Sequence, residues 1–311
     1  MDIHLMRRLR IINQPESIRL LKKQGFDIFH PTYYDPYFLK HLQRKPFVLT
    51  VHDMIHELFP AHSSSSDPTV KWKKEVIEQA DRIIAISENT KKDILKFTNI
   101  EQNRISVIYH GNPFEFREKS NNSLIQANFT SSEKPYLLFV GIRDSYKNFN
   151  FFITAISGLL KEEKDLWVCC AGGGPFTLDE QRILQVLGIQ SKVHMVNAND
   201  HVMPQLYANA RAFVFPSLYE GFGLPILEAF SCGCPVIASN TSSLPEIGGD
   251  AACYFNPLDP DSLVQALESV IMDDQLRDKY IQKGLIRVSE FSWKKTAQKT
   301  KDVYENVLSR S

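Results

Sequence analysis

Long apolar runs are missing from this chain. No stretch of its 311 residues approaches the ~20 apolar positions needed to span a bilayer. The opening MDIHLMRRLR lacks the hydrophobic core of a secretory leader. Net charge is missing as well: 36 basic residues balance 36 acidic ones, which leaves no global field to attract nucleic acid or an acidic membrane. Nucleic acid is therefore not an expected partner. Cysteine is sparse and odd in number, at Cys169, Cys170, Cys232, Cys234 and Cys253. No second cluster at matching spacing completes a zinc set, so reduced core thiols in a cytoplasmic protein are expected. No D-x-D stands in a loop suited to a metal. Asp259 and Asp261 of NPLDPDSL read as a helix start, with Asp261 or Ser262 near the cap. No divalent cation requirement is expected.

What remains is ordinary for a soluble globular protein, with 43% hydrophobic and 23% charged residues and enough length for two domains. In the second half, short apolar runs recur at Tyr136–Val140, Leu166–Ala171, Val193–Val196, Ala212–Phe215, Pro235–Ala238 and Cys253–Phe255. Stretches with helical spacing, such as FNFFITAISGLL and DPDSLVQALESVI, lie between them. Continuous apolar strands alternating with amphipathic helices predict a parallel sheet covered on both faces. The first half repeats the theme at Ile28–His30, Phe47–Val51, Ile83–Ile86 and Ile105–Tyr109. The basic residues of KWKKEVIEQADR alternate with acids and predict a solvated helix face. Ser63–Ser66 reads as a flexible loop, and the Ser- and Asn-rich stretch 119–133 as a linker. The expected fold is α/β: two doubly wound, Rossmann-like domains facing a cleft, the first of them incomplete. The expected divisions are 1–118, a linker over 119–133, 134–295, and a last helix over 296–311 that crosses back to the first domain.

The unusual residues cluster just past the carboxyl ends of these strands, where open α/β sheets bind ligands. His52 and Asp53 follow FVLTV, Gly141 and Arg143 follow YLLFV, Gly172–Gly174 follow LWVCCA, and Glu220 follows AFVFPSLY. Glycines in GFGLP let a backbone approach a ligand closely, and Pro225 suits a first helical turn. Helices starting after GFGLP and GGGP would aim free backbone N–H groups at an anion. Arg143 and Lys147 add two cations. Glu228 is expected in the first turn of the helix begun by Pro225. There it could accept two hydrogen bonds from a ribose diol or merely favour the helix dipole. GGGP is not G-x-G-x-x-G, and a plain tight turn explains it equally well.

PSLYEGFGLPILEAFSCGCPVIASNTSSLPEIGGDAACYFNP resembles the signature of family 4 retaining glycosyltransferases of the GT-B fold. The resemblance extends to LTVHDMIHELFP, RIIAISENTKKDI, VIYHG, VGIRDSYKN and the late FSW. Within that family, HPTYYDPYFL and VHDMIHELFP are similar to bacterial enzymes that build surface polysaccharides such as lipopolysaccharide, many of them mannosyltransferases. The resemblance implies a metal-independent hexosyltransferase without a cofactor. Its co-substrate would be a GDP- or UDP-linked sugar and its acceptor a glycan or lipid-linked glycan. It also implies roles. Glu228 would hold the ribose hydroxyls, and Glu220 would orient the transferred sugar. The amides of Phe222, Gly223 and Leu224 would meet the sugar or β-phosphate. Gly141, Arg143 and Lys147 would form the diphosphate loop, and His52 would reach the donor sugar from the first domain.

Two departures stand out. Ile142 occupies the position where many relatives carry an arginine, with Arg143 one place later. About 26 residues precede DIFHPTYY, without the strand and glycine-rich turn with which relatives begin. A late start, a natural remnant, or substitution of the missing unit by MDIHLMRRLRIIN would account for that. The alternative to an active transferase is therefore a non-catalytic nucleotide-binding remnant or partner subunit. The implied setting is the cytoplasm, with Arg7, Arg8 and Arg10 as the feature that would touch the inner face of the membrane.

Overall fold

A computed structural model describes residues 3–60, 67–114, 134–143 and 145–309, with side chains given from residue 13 onward except at 145. The expected linker 119–133 and the loop Ser63–Ser66 lie outside the described residues. The chain divides into two compact units, residues 1–109 with 296–311, and residues 110–295. The division after Tyr109 falls ahead of the expected boundary at 118.

The first unit carries three parallel strands in the order β1 (Val48–Val51), β2 (Arg82–Ala85) and β3 (Ile105–Val107). The helix Thr69–Gln79 returns the chain between β1 and β2, and Glu88–Phe97 does so between β2 and β3. Side chains alternate across this sheet, as strand geometry requires. Leu49, Val51, Ile83 and Ala85 pack with Phe38, Met54, Val76, Ile77 and Ile94 on one face. On the other, Val48, Ile84 and Ile108 are covered by Val303 and Val307 of the last helix. Of the four expected strands, Ile28–His30 falls short. It contributes a single parallel bridge, Phe29 to Phe47, and His30 turns its ring to Thr50 and Tyr304 (2.9 and 2.6 Å). Residues 3–22 form the helix Ile3–Lys22; the side chains of Arg7, Arg8 and Arg10 lie outside the described residues.

The expected solvated face of KWKKEVIEQADR is corrected at one position. Lys73 is fully buried. Its ammonium donates to Glu57 Oε2 and to the Asp53 carbonyl, both at 3.0 Å, and stands 5.1 Å from the centre of the Tyr34 ring. A buried ammonium is tolerated only with such partners. Alternating charge in the sequence could not reveal them.

The second unit holds a six-stranded parallel sheet in the order β6-β5-β4-β7-β8-β9. Its strands are β4 (Tyr136–Val140), β5 (Trp167–Ala171), β6 (Val193–Val196), β7 (Ala212–Phe215), β8 (Val236–Ser239) and β9 (Ala252–Phe255). All six expected strands are present, with ends shifted by at most one residue. They are legible because β5, β7 and β8 are buried along their whole length, which demands unbroken apolar runs. Cys169, Cys170 and Cys234 are buried and unpaired in disulfides. Burial pushes the Cys169 thiol up to about 12, which leaves it inert. The start of the helix Pro260–Ile271 is capped by Asp259, whose side chain accepts from the amides of Asp261 and Ser262, two or three residues earlier than expected. Both units are parallel sheets wound with helices, the Rossmann-like α/β arrangement. The order places a switch between β4 and β7, where the chain reverses its direction of travel across the sheet. A crevice at that point is the favoured ligand position of such folds.

Candidate functional site

The carboxyl ends of β4 and β7 are neighbours at this switch, and the loops that leave them are joined. Gly141 directly follows β4 at φ +125°, a conformation that disfavours any side chain. The chain then turns through Ser145–Lys147 into the helix Phe149–Ala155. On the β7 side, the Leu218 amide donates to the Tyr146 carbonyl at 2.7 Å. Lys147 Nζ meets Glu220 Oε1 at 2.6 Å, with side chains only 14% and 12% exposed. Two residues singled out separately in the sequence thus form one ion pair across the switch.

The β7 loop is held from below by the loop after β8. Ser242 Oγ accepts the Glu220 amide at 3.0 Å. Ser243 Oγ donates to the carbonyls of Glu220 and Phe222 at 2.8 and 2.9 Å. Thr241 Oγ1 donates to the Leu218 carbonyl at 3.1 Å. Ser242 sits at φ +52°, a left-handed conformation uncommon for serine and noteworthy near a site. This hydroxyl clasp was not read from NTSSLP, because short hydroxyl residues look like any turn.

Gly223, at φ +103°, caps the helix Leu224–Ser231. A β-carbon there would stand 3.0 Å from Leu244 Cδ2. The helix cap lies three residues after Glu220, on the loop that leaves β7. Phe222 is buried, its ring 5.1 Å from that of His110 and 6.1 Å from that of Phe291, so only its backbone could serve a ligand. Glu228 lies in the second turn and not, as expected, in the first. Gly223 takes the cap and leaves Leu224 and Pro225 as the opening residues. That position weakens the helix-dipole explanation, which applies to the first turn. Glu228 Oε2 accepts from the Tyr207 hydroxyl at 2.9 Å.

Arg143, expected as a diphosphate ligand, is engaged with protein acceptors. Its guanidinium donates to Glu180 Oε1 (2.8 Å) and to the carbonyls of Gly172 (2.9 Å), Gly174 (2.8 Å) and Pro175 (3.0 Å). It lies 4.6 Å from the centre of the Phe176 ring, and its side chain is 2% exposed. Gly172, Gly173 and Gly174 all have positive φ, and a β-carbon on Gly173 would stand 2.9 Å from Arg143 Nη1. GGGP and Arg143 are thus built around each other. Glu180 also closes the capping box of the helix Leu178–Leu187 with Thr177. Arg143→Met should cost about 3–5 kcal/mol of stability, because it strands a buried carboxylate. Arg143→Lys should recover little, since an ammonium cannot serve that fork of acceptors. Urea unfolding with a nucleotide titration checks this. Lost affinity at unchanged stability in Arg143→Lys would return Arg143 to the ligand.

His52 follows β1 in the first unit. Its amide donates to the Tyr34 hydroxyl at 3.0 Å. Burial holds its imidazole below the ordinary histidine range, with Lys73 acting in the same sense and Asp53 opposing. Among the described residues, no helix is long and apolar enough to cross a membrane.

Comparison with known proteins agrees with this architecture. The family model of glycosyl transferases group 1 matches residues 120–287, and that of glycosyltransferase family 4 matches residues 3–115. The chain is 27% identical over 312 residues to O-antigen chain mannosyltransferase B of Escherichia coli, covering 97% of this chain and 80% of that one. Sucrose-phosphate synthase of Thermosynechococcus elongatus superposes with a TM-score of 0.77 at 21% identity, over 98% of this chain and 80% of that one. HepE of Anabaena, solved in complex with UDP and glucose, superposes with a TM-score of 0.79 at 18% identity, over 94% and 80%. These likenesses establish the GT-B fold. Together with the family match, they show that the chain belongs to the group 1 glycosyltransferases.

Proposed function

We propose that this protein transfers a hexose, with mannose the first candidate, from a GDP- or UDP-linked sugar to a glycan or lipid-linked acceptor. Transfer would proceed with retention of configuration, in the assembly of a surface polysaccharide. One observation carries the reading. The Lys147–Glu220 pair stands at the β4/β7 switch, beside a helix whose first amides open at Gly223. A cation and a helix N-terminus on one edge suit a diphosphate. A carboxylate next to them suits the hydroxyls of the attached sugar. The mannosyltransferase relative favours mannose as the sugar.

In this reading, Lys147 and the amides of Gly223 and Leu224 take up the charge that develops on the departing diphosphate. Preorganised donors of this kind lower the barrier without reorganising. Glu220 orients the transferred sugar, Glu228 holds the ribose, and Gly141 keeps the β4 loop close to the phosphates. His52 supplies a neutral imidazole to the donor sugar. Arg143 acts indirectly, by fixing the GGGP loop. No residue is assigned as a metal ligand and no cofactor is invoked. The acceptor's lipid would bring the chain to the inner face of the membrane.

Calorimetry with GDP and UDP, with and without a chelator, tests the donor reading. Saturable binding between micromolar and millimolar is expected, about 4–8 kcal/mol, and it should survive the chelator. No saturation with either diphosphate would sink it.

A further inference from the structure

Tyr207 has no part in the site as read from the sequence, where LYANAR resembles any core-facing helix end. It lies in the last turn of the helix Met203–Asn209, just before β7. Its side chain is among the largest that are fully buried. The ring is fixed edge-on against Phe213, with centroids 5.4 Å apart and planes at 83°. Its hydroxyl donates to Glu228 Oε2 at 2.9 Å. Burial first, and the neighbouring Glu228 charge second, push this hydroxyl far above the ordinary tyrosine range. It therefore remains a donor wherever the protein is folded.

A glutamate side chain is flexible, and a carboxylate that must receive two adjacent hydroxyls needs a defined plane. Fixing a polar group before the ligand arrives removes an ordering cost from binding. A phenol locked in the core is a rigid anchor for one carboxylate oxygen. That oxygen keeps further acceptor capacity after taking one hydrogen bond. We propose that Tyr207 is a positioning residue, which sets the Glu228 carboxylate in the orientation that receives the ribose 2′- and 3′-hydroxyls and so makes the site selective for ribonucleotides. The inference rests on the reading of Glu228 as the ribose ligand.

The test compares GDP with 2′-deoxy-GDP, and UDP with 2′-deoxy-UDP, in the wild-type protein, Tyr207→Phe, Glu228→Gln and the double variant. Tyr207→Phe keeps the ring in the core and removes only the oxygen, and urea unfolding tracks its stability. The wild type should favour the ribo form by about tenfold or more, the scale of one hydrogen bond to a charged group. Glu228→Gln should abolish most of that preference. Tyr207→Phe should shrink it severalfold while leaving deoxy affinity nearly unchanged. The double variant should match Glu228→Gln, as expected for residues acting through one group. If Glu228→Gln loses the preference and Tyr207→Phe retains it, the positioning role is wrong. If Glu228→Gln retains it, the ribose reading itself fails, and the proposal falls with it. Equal loss of ribo and deoxy affinity in Tyr207→Phe would mark a purely structural tyrosine.

Discussion

Lys147→Met should weaken binding of a bare nucleoside diphosphate by about ten- to a hundredfold, whereas Glu220→Gln should tighten it. The first figure corresponds to the ~1.5–3 kcal/mol of a hydrogen bond to a charged group. The opposite signs follow from the ion pair. Without ligand, Lys147 is neutralised by Glu220 at 2.6 Å, so a diphosphate must compete with a carboxylate for the same ammonium. Removing the carboxylate's charge frees the cation, by about 0.5–1 kcal/mol for a pair that retains some solvent contact. Transfer should suffer in both variants. Loss of a preorganised charge on the leaving group costs about 10²–10³ in kcat, and loss of Glu220 removes the group that orients the sugar. Calorimetry with GDP or UDP, together with a transfer assay, reads the two effects separately. Weaker diphosphate binding in both variants would show that the pair does not exchange partners in this way.

Lys73→Met should destabilise the first unit by about 3–5 kcal/mol, the cost of leaving one partner of a buried pair alone. The stranded group is Glu57, whose side chain is 8% exposed against 0% for Lys73. That loss is a large share of the ~5–15 kcal/mol that holds a domain together. Adding Glu57→Gln should restore part of it by removing the stranded charge. The rest should remain lost, because the Asp53 carbonyl also takes a hydrogen bond from Lys73. Hydrogen exchange at Val48–Val51 and Arg82–Ala85 reports this unit, while Tyr136–Val140 reports the other. Slowly exchanging amides in both sheets of Lys73→Met would rule the account out. Because Asp53 adjoins His52, the variant should also loosen the end of β1 and impair transfer, with nucleotide affinity kept in the second unit.

The second unit's sheet was legible because β5, β7 and β8 (to Ala238) are unbroken apolar runs, a pattern fixed by burial on both faces. The first unit was less so. Ile28–His30 has the composition of a strand, yet only Phe29 pairs, since His30 engages side chains on β1 and the last helix. GFGLP announced itself by the glycines that its turn needs, and Gly223 occupies a conformation with positive φ.

Residue type and local spacing, then, determined the α/β class, the six strands of the second sheet, and the set Gly141, Lys147, Glu220, Gly223 and Glu228 on loops or helices beyond strand ends. Tertiary structure alone decided the pairings. Lys147 and Glu220 lie 73 positions apart and meet only because β4 and β7 are adjacent in the sheet. Arg143 is taken up by carbonyls of the β5 loop, and Tyr207 reaches Glu228 from the preceding helix. Lys73 is buried because Glu57, the Asp53 carbonyl and Tyr34 enclose it. Each is a short-range interaction between groups distant in sequence. Local propensity carries no record of such contacts, and only the order of strands in the sheet and the packing of helices upon it bring the partners within hydrogen-bonding distance.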